Sequence, residues 1–257
     1  MDFSKTTDNI RYKTDGIVNI FDGYRDKWED FYPSERWAFE KLAGNSGGLG
    51  KVLDVGCAVG GLGRTLSKRY RIESYEGVDI NTQAIDVAKQ NQSQISVPAE
   101  FSSGDILELN ILDGKTFDTV FSLSCADWNI ETDLIIYRCW DFVKPGGAFV
   151  ISLRLTSQES INDMKRSYQP FAFDDEGNVV ETANYVIYNY TDFFRLIKNL
   201  RPPASSVMGY GYWGQPASNA VTPYKDLVFG VLIVSKALDG QLAKIESELY
   251  FPLDLFT

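Results

Sequence analysis

Histidine is absent from this chain, so any proton acceptor must be a carboxylate, a tyrosine, a lysine or water. The residues whose types and spacing suggest chemistry are acids at the ends of apolar runs. Asp54 interrupts Val52, Leu53 and Val55, just ahead of Gly56, Gly60, Gly61 and Gly63. Asp79 closes the run Tyr75-Glu76-Gly77-Val78-Asp79-Ile80, Asp105 stands in Gly104-Asp105-Ile106, and Asp127 follows the run Phe117 to Leu123. An apolar run ending in glycines lets the backbone bend and approach a ligand closely. The dinucleotide spacing G-x-G-x-x-G is missing. An acid at the mouth of such a loop opposes a pyrophosphate and suits a ligand with a cationic head group.

Helices and strands must alternate to set these acids side by side. Lys51 to Leu66 reads as a strand, a glycine turn and a helix, the first βα unit of a nucleotide-binding α/β sheet. Asp79 falls far enough after Asp54 for that helix and a return strand, where an acid accepts hydrogen bonds from both ribose hydroxyls. Thr82 to Lys89 reads as the next helix, with Ala84, Ile85 and Ala88 apolar. Ala99 to Leu109 carries a third strand end at Asp105. Phe117 to Leu123 is a fourth strand, Glu131 to Val143 a helix with Ile136, Trp140 and Val143 on one face, and Lys144-Pro145-Gly146-Gly147 a breaker before the strand Ala148 to Leu153. Tyr168 to Tyr190 reads as a hairpin turning at Asp174 to Asn178, and Thr191 to Leu200 as a helix capped by Thr191. Val207 to Trp213 and Leu227 to Lys236 are the last strands.

Asp54-Val55-Gly56-Cys57-Ala58-Val59-Gly60 resembles motif I of the class I S-adenosylmethionine-dependent methyltransferases, with Ala58 in place of the middle glycine. Asp79, Asp105, the strand before Asp127 and the KPGG turn follow in that family's order, so the resemblance covers roughly Lys51 to Leu155. It implies a Rossmann-like, seven-stranded, mostly parallel sheet with an antiparallel C-terminal hairpin and helices on both faces. It implies S-adenosylmethionine as cofactor, held by Asp54, Gly56, Cys57, Ala58, Gly60, Asp79, Ile80, Asp105, Ile106, Ser122 and Leu123, with Asp105 accepting from the adenine amino group. The implied chemistry is transfer of a methyl group to an oxygen or nitrogen of a small molecule, a sugar among the acceptors that bacterial relatives of this type use. The alternatives are a noncatalytic cofactor-binding partner of another subunit and an aminopropyl transferase.

A hydroxyl acceptor benefits from a base, and Asp127 is the carboxylate expected nearest the transfer site. A surface acid capping the next helix, or a magnesium site shared with Asn129, are the other readings of Asp127; no metal is expected. Tyr185, Tyr188, Tyr210, Tyr212 and Trp213 are candidates to stack on a ring. Residues 1–50 form a helical extension, with Pro33 between two helices and Trp37, Ala38 and Leu42 on one face, as a lid or as packing. Residues 51–237 form the core, with the hairpin inserted at about 165–190, and residues 238–257 a tail.

Composition bounds the rest. At 257 residues, 44% hydrophobic and 23% charged, the chain is long enough to bury a sizeable core. A net charge of -10 disfavours nonspecific binding to nucleic acid, which needs lysine and arginine against phosphate. No run is long enough for a membrane helix, the first thirty residues are too charged for a secretion signal, and the three cysteines have no paired spacing. A cytoplasmic protein of open oligomeric state, with a small-molecule acceptor and neither nucleic acid nor membrane as partner, is the expectation.

Overall fold

The computed structural model describes residues 25–174, 176–240 and 245–257. The run Gly50–Val55 forms β1, followed by helix α2 (Gly61–Arg69), β2 (Ile72–Asp79), α3 (Thr82–Gln90) and β3 (Ala99–Ser103). Helix α1 (Pro33–Ser46) precedes them. Then come β4 (Phe117–Ser122), α4 (Thr132–Phe142), β5 (Val143–Thr156), β6 (Tyr168–Phe173), β7 (Val179–Asn184), β8 (Tyr188–Asn189) and α5 (Tyr190–Lys198). Strands β9 (Ala204–Gly214), β10 (Leu227–Lys236) and β11 (Glu246–Tyr250) complete the fold.

The main sheet has the order β11-β9-β10-β5-β4-β1-β2-β3, with the two residues of β8 added beside β5. Strands β1 to β5 pair in parallel, while β10 runs antiparallel to both β5 and β9. The sheet is therefore Rossmann-like and mostly parallel, with antiparallel strands at its C-terminal side. Its connections reverse direction between β1 and β4, the switch point where ligands of open α/β sheets bind.

Side-chain alternation along the buried strands divides the core in two. Leu53 and Val55 face a layer built with Ile136 and Trp140 of α4 and Phe193 and Leu196 of α5. Val52 faces the opposite layer, with Ala38 and Phe39 of α1, Leu62 and Leu66 of α2 and Ile85 of α3. Helix α1 thus packs on the sheet through Ala38, Phe39 and Leu42, and its Trp37 meets Tyr210 of β9.

Four expectations shift. The sheet gains strands beyond seven, because residues 246–250 of the expected tail pair in parallel with β9. Phe251 then packs over Gly209 and Gly230, where an added Cβ would approach its ring to 2.6 and 2.8 Å. Strand β5 starts at Val143, since the KPGG segment stays in the sheet as an irregularity between Phe117 and Thr119 of β4. Helix α5 is capped by Asn189, whose side chain accepts from the Thr191 N–H, in place of the expected Thr191 cap. The expected first helix within residues 24–32 is reduced to a single turn at Trp28–Asp30, and Tyr24 itself lies outside the described residues. The hairpin β6–β7 forms a separate two-stranded sheet.

Candidate functional site

A cavity of about 1110 Å³, part of it open to solvent, lies at the carboxyl ends of β1 to β4. Asp54, Gly56, Cys57, Ala58, Asp79, Ile80, Asp105, Ile106 and Leu123 line it. Of the residues singled out for the cofactor, Gly60 and Ser122 do not line it. Gly60 caps α2 with φ 80°, and Ser122 is fully buried in the core.

The backbone of the first loop is shaped by close approach. Gly56 has φ 81°, and an added Cβ would meet Cys125 Sγ at 2.5 Å. Ala58 tolerates the left-handed region at φ 46°. That turn aims the Ala58 N–H at Asp79 Oδ2 (2.8 Å), while Asp79 Oδ1 accepts from the Asn81 N–H (2.8 Å). Burial pushes the Asp79 carboxyl up, and the Asn81 and Ala58 N–H groups oppose it. Its side chain is thereby fixed at the end of β2, with lone pairs left to accept from a ligand.

Asp54 sits deeper. Its Oδ2 accepts from the Tyr75 hydroxyl at 2.5 Å, and burial pushes its pKa up to about 7 against the opposing pull of Tyr75 and Arg25. Gly63 makes room for the Tyr75 ring, whose atoms an added Cβ would approach to 2.8 Å. A carboxyl group poised near neutrality responds strongly to a cation placed beside it. Asp105 stands across the cavity, its Oδ1 accepting from the Leu107 N–H at 3.0 Å.

Arg25 also lines the cavity, and nothing in its local sequence marks it. It takes φ 61°, and its guanidinium donates to Leu123 O (3.3 Å), Ser124 Oγ (3.1 Å) and the Glu35 carboxylate. Thr65 Oγ1 donates to Arg25 O at 3.0 Å, and Arg64 of α2 bonds Asp26, so the segment is tied to α2. Glu35 is fully buried. Burial raises its pKa, opposed by Arg25, and it also accepts from the Tyr32 N–H at the start of α1.

The loop after β4 divides its residues. Ser124, Cys125 and Asn129 line the cavity, whereas Asp127 does not. Asp127 is buried with its Oδ2 accepting from Arg154 Nε at 2.9 Å, and Arg154 Nη2 donates to Asp127 O at 3.2 Å. The guanidinium lies over the rings of Trp128 and Tyr185, at 4.1 and 3.7 Å from their centroids. The expectation of a free base at Asp127 is corrected accordingly: the carboxylate is the counter-ion of an arginine in an aromatic stack. Asn129, its partner in the magnesium reading, donates its amide to Cys125 O at 2.8 Å. Among the described residues no group of three His, Cys, Asp or Glu side chains could hold a metal ion. The aromatic candidates also scatter. Tyr185 and Tyr188 are buried, Tyr188 against Asp133, while Tyr210 and Tyr212 are half-buried and Trp213 bonds Asp254 through its indole N–H at 2.8 Å.

Residues 52–147, which supply the cavity lining apart from Arg25, match the family described as "Methyltransferase domain". Over those residues the chain is similar to methyltransferase domains, a match that spans less than half of its 257 residues. Over 101 residues the chain is 33% identical to ubiquinone biosynthesis O-methyltransferase of Coxiella burnetii, covering 39% of this chain and 42% of that protein. The chain spans about half the length, or less, of the curated relatives it matches. An S-adenosylmethionine-dependent methyltransferase from Clostridium acetobutylicum superposes with a TM-score of 0.54 at 16% identity, covering 87% of this chain and 98% of that one. The N-methyltransferase NodS from Bradyrhizobium japonicum, solved with S-adenosyl-L-homocysteine, gives 0.51 at 18% identity, over 86% and 99% of the two chains. These two likenesses are of fold. Among the described residues no helix is long and apolar enough to cross a membrane.

Proposed function

We propose that the cavity binds S-adenosylmethionine and that the chain transfers its methyl group to an oxygen or nitrogen of a small molecule. The observation that carries this reading is the row of three carboxylates, Asp54, Asp79 and Asp105, lining one cavity beside a glycine turn that an added Cβ would fill. Asp79, held by two backbone N–H groups, is oriented to accept from both ribose hydroxyls. Asp105, with Ile80 and Ile106 beside it, suits the adenine. Asp54 and Arg25 suit the ammonium and carboxylate of the amino-acid end. Bound there, the cofactor supplies a methyl group already activated by a positive sulfur.

What remains for the protein is alignment and exclusion of water. Ser124, Cys125 and Asn129 form the wall at the end of β4 against which an acceptor would be placed. With Asp127 held by Arg154, the proton of a hydroxyl acceptor is released to solvent, while an amine needs only to arrive neutral.

Calorimetry with S-adenosylhomocysteine and with NAD tests the cofactor, with micromolar affinity expected for the first and none for the second. Binding of NAD without a response to S-adenosylhomocysteine would sink the reading. Labelled methyl incorporation across phenols, sugars and amines tests the transfer. A protein that binds the cofactor and methylates nothing in that panel would be a noncatalytic partner.

A further inference from the structure

The cofactor reading leaves the Asp127–Arg154 pair unused. Arg154 lies on β5 two residues beyond Ser152, so both side chains project from the same side of the sheet, roughly 7 Å apart along the strand. The Ser152 hydroxyl accepts from the Ser124 N–H at 2.6 Å, and Ser124 lines the cavity. Arg154 therefore stands one side-chain step from the cavity wall. Across the sheet its register neighbour is Phe229 of β10, and that residue's neighbour on β9 is Tyr212. Beside Ser124, Arg154 and Tyr185 are buried, Phe229 and Tyr212 half-buried and Tyr32 exposed, so aromatic rings stand next to the expected transfer site.

The Asp127–Arg154 pair has unmet hydrogen-bonding capacity. Arg154 Nη1 and Asp127 Oδ1 are both buried and have no hydrogen-bond partner, although their side chains are only 4% and 5% exposed. A buried donor or acceptor left unsatisfied is costly unless something pairs with it. The guanidinium cannot swing away to find a partner, since Trp128 and Tyr185 pack on it and Asp127 holds its Nε. One free donor and one free acceptor, on a pair whose charges already cancel, match a hydroxyl group, which both donates and accepts. A carboxylate would meet Asp127 Oδ1 as a like charge.

We propose that Arg154 and Asp127 form the acceptor-recognition site, and that the acceptor is an uncharged ring compound bearing a hydroxyl group. This rests on the cofactor reading above, and the experiment separates the two. Calorimetry of the wild type with S-adenosylhomocysteine comes first, and absence of binding there overturns the cofactor reading itself. Methyl transfer is then measured over phenols and sugars, and over ring-matched carboxylic acids and alkylamines. Turnover is expected for the uncharged hydroxylated rings; preference for the acids or amines, or no turnover in a protein that binds S-adenosylhomocysteine, overturns the proposal. For the best acceptor, R154K is expected to raise KM at least tenfold with a smaller change in kcat and unaltered affinity for S-adenosylhomocysteine. An unchanged KM in R154K overturns the role of Arg154. Should R154K not fold, the wild type decides: removing from the acceptor a hydroxyl other than the methylated one is expected to raise KM at least tenfold. An unchanged KM there counts against the proposal.

Discussion

Two groups of carboxylates at the carboxyl ends of the strands are held in different ways. Asp54 and Asp79 are hydrogen-bonded by neutral donors, a tyrosine hydroxyl and backbone N–H groups, and Arg25 offsets the charge of Asp54 only in part. Asp127 is bound by a guanidinium and its charge is cancelled on the spot. Acids of the first kind are ready for a cationic ligand. An acid of the second kind contributes structure and shape, and it offers hydrogen bonds without net charge. The same residue type at the end of adjacent strands thus serves two purposes, and the partner decides which.

The largest test of that contrast is Asp127→Asn. Removing one member of a buried ion pair leaves the other charged and unpaired, which costs about 3–5 kcal/mol of stability. The expected result is a fall in Tm of roughly 6–20 °C for a chain of this size, with cofactor affinity in the folded protein unchanged within about twofold. A stable Asp127→Asn protein that loses the cofactor would reverse the assignment of the two groups.

Gly56→Ala comes next. Its φ of 81° and the 2.5 Å approach to Cys125 Sγ put a new Cβ into both backbone strain and overlap. Left-handed backbone costs about 1–2 kcal/mol for an L-residue, and overpacking adds about 1–3 kcal/mol. Gly177 in the β6–β7 hairpin has a similar φ of 83° but nothing within 4 Å of an added Cβ, so Gly177→Ala carries the strain alone. Thermal melts of the two variants should differ by about 1–3 kcal/mol, and equal melts would remove the case for close approach at Gly56.

For Asp79→Ala the expected loss appears in binding. Two charge-assisted hydrogen bonds to the ribose are worth about 2–4 kcal/mol together, roughly 30-fold to 1000-fold in the dissociation constant for S-adenosylhomocysteine. Stability should fall modestly, because the Ala58 and Asn81 N–H groups lose their acceptor while the burial of a carboxylate is relieved. An unchanged dissociation constant with an intact fold would show that the ribose binds elsewhere.

The difference between the two groups also explains what the sequence could reveal. Asp54, Asp79 and Asp105 each follow an apolar run that must stop, and the glycines beside Asp54 announce a close approach, so local pattern was enough to place them. Asp127 follows the same pattern, but its partner Arg154 lies 27 positions away on β5. No local signal distinguishes a free acid from a paired one. Arg25 was invisible for the same reason, since Glu35, Thr65 and Ser124 together hold it at the cavity. Strand β11 escaped notice because Glu246-Ser247-Glu248 is exposed and carries no alternation of apolar residues. Its anchor is Phe251, seated on glycines of strands far back in the chain.

The smallest effect probes the neutral partner of Asp54. Folding raises this carboxyl from its ordinary value of 3.8 to about 7, so the folded, ligand-free protein holds a proton that the unfolded chain releases. Its contribution to stability is therefore fully present below about pH 4 and is lost as pH rises through about 7. A ligand ammonium favours the ionised form, so cofactor binding near neutrality should release a proton. Affinity should accordingly weaken as pH falls below about 7, approaching tenfold per unit. Calorimetry in buffers of different ionisation enthalpy reads that proton directly. Tyr75 donates to the ionised carboxylate at 2.5 Å and so opposes the upward shift. Tyr75→Phe should move the midpoint of the affinity profile upward, by about one pH unit or less, since one hydrogen bond is worth about 1 kcal/mol. At about pH 8.5 the affinity of the variant should lie within roughly threefold of wild type, because most of the carboxyl is ionised in both. A midpoint that moves downward, or proton uptake on binding, would mean that Asp54 meets a different part of the ligand.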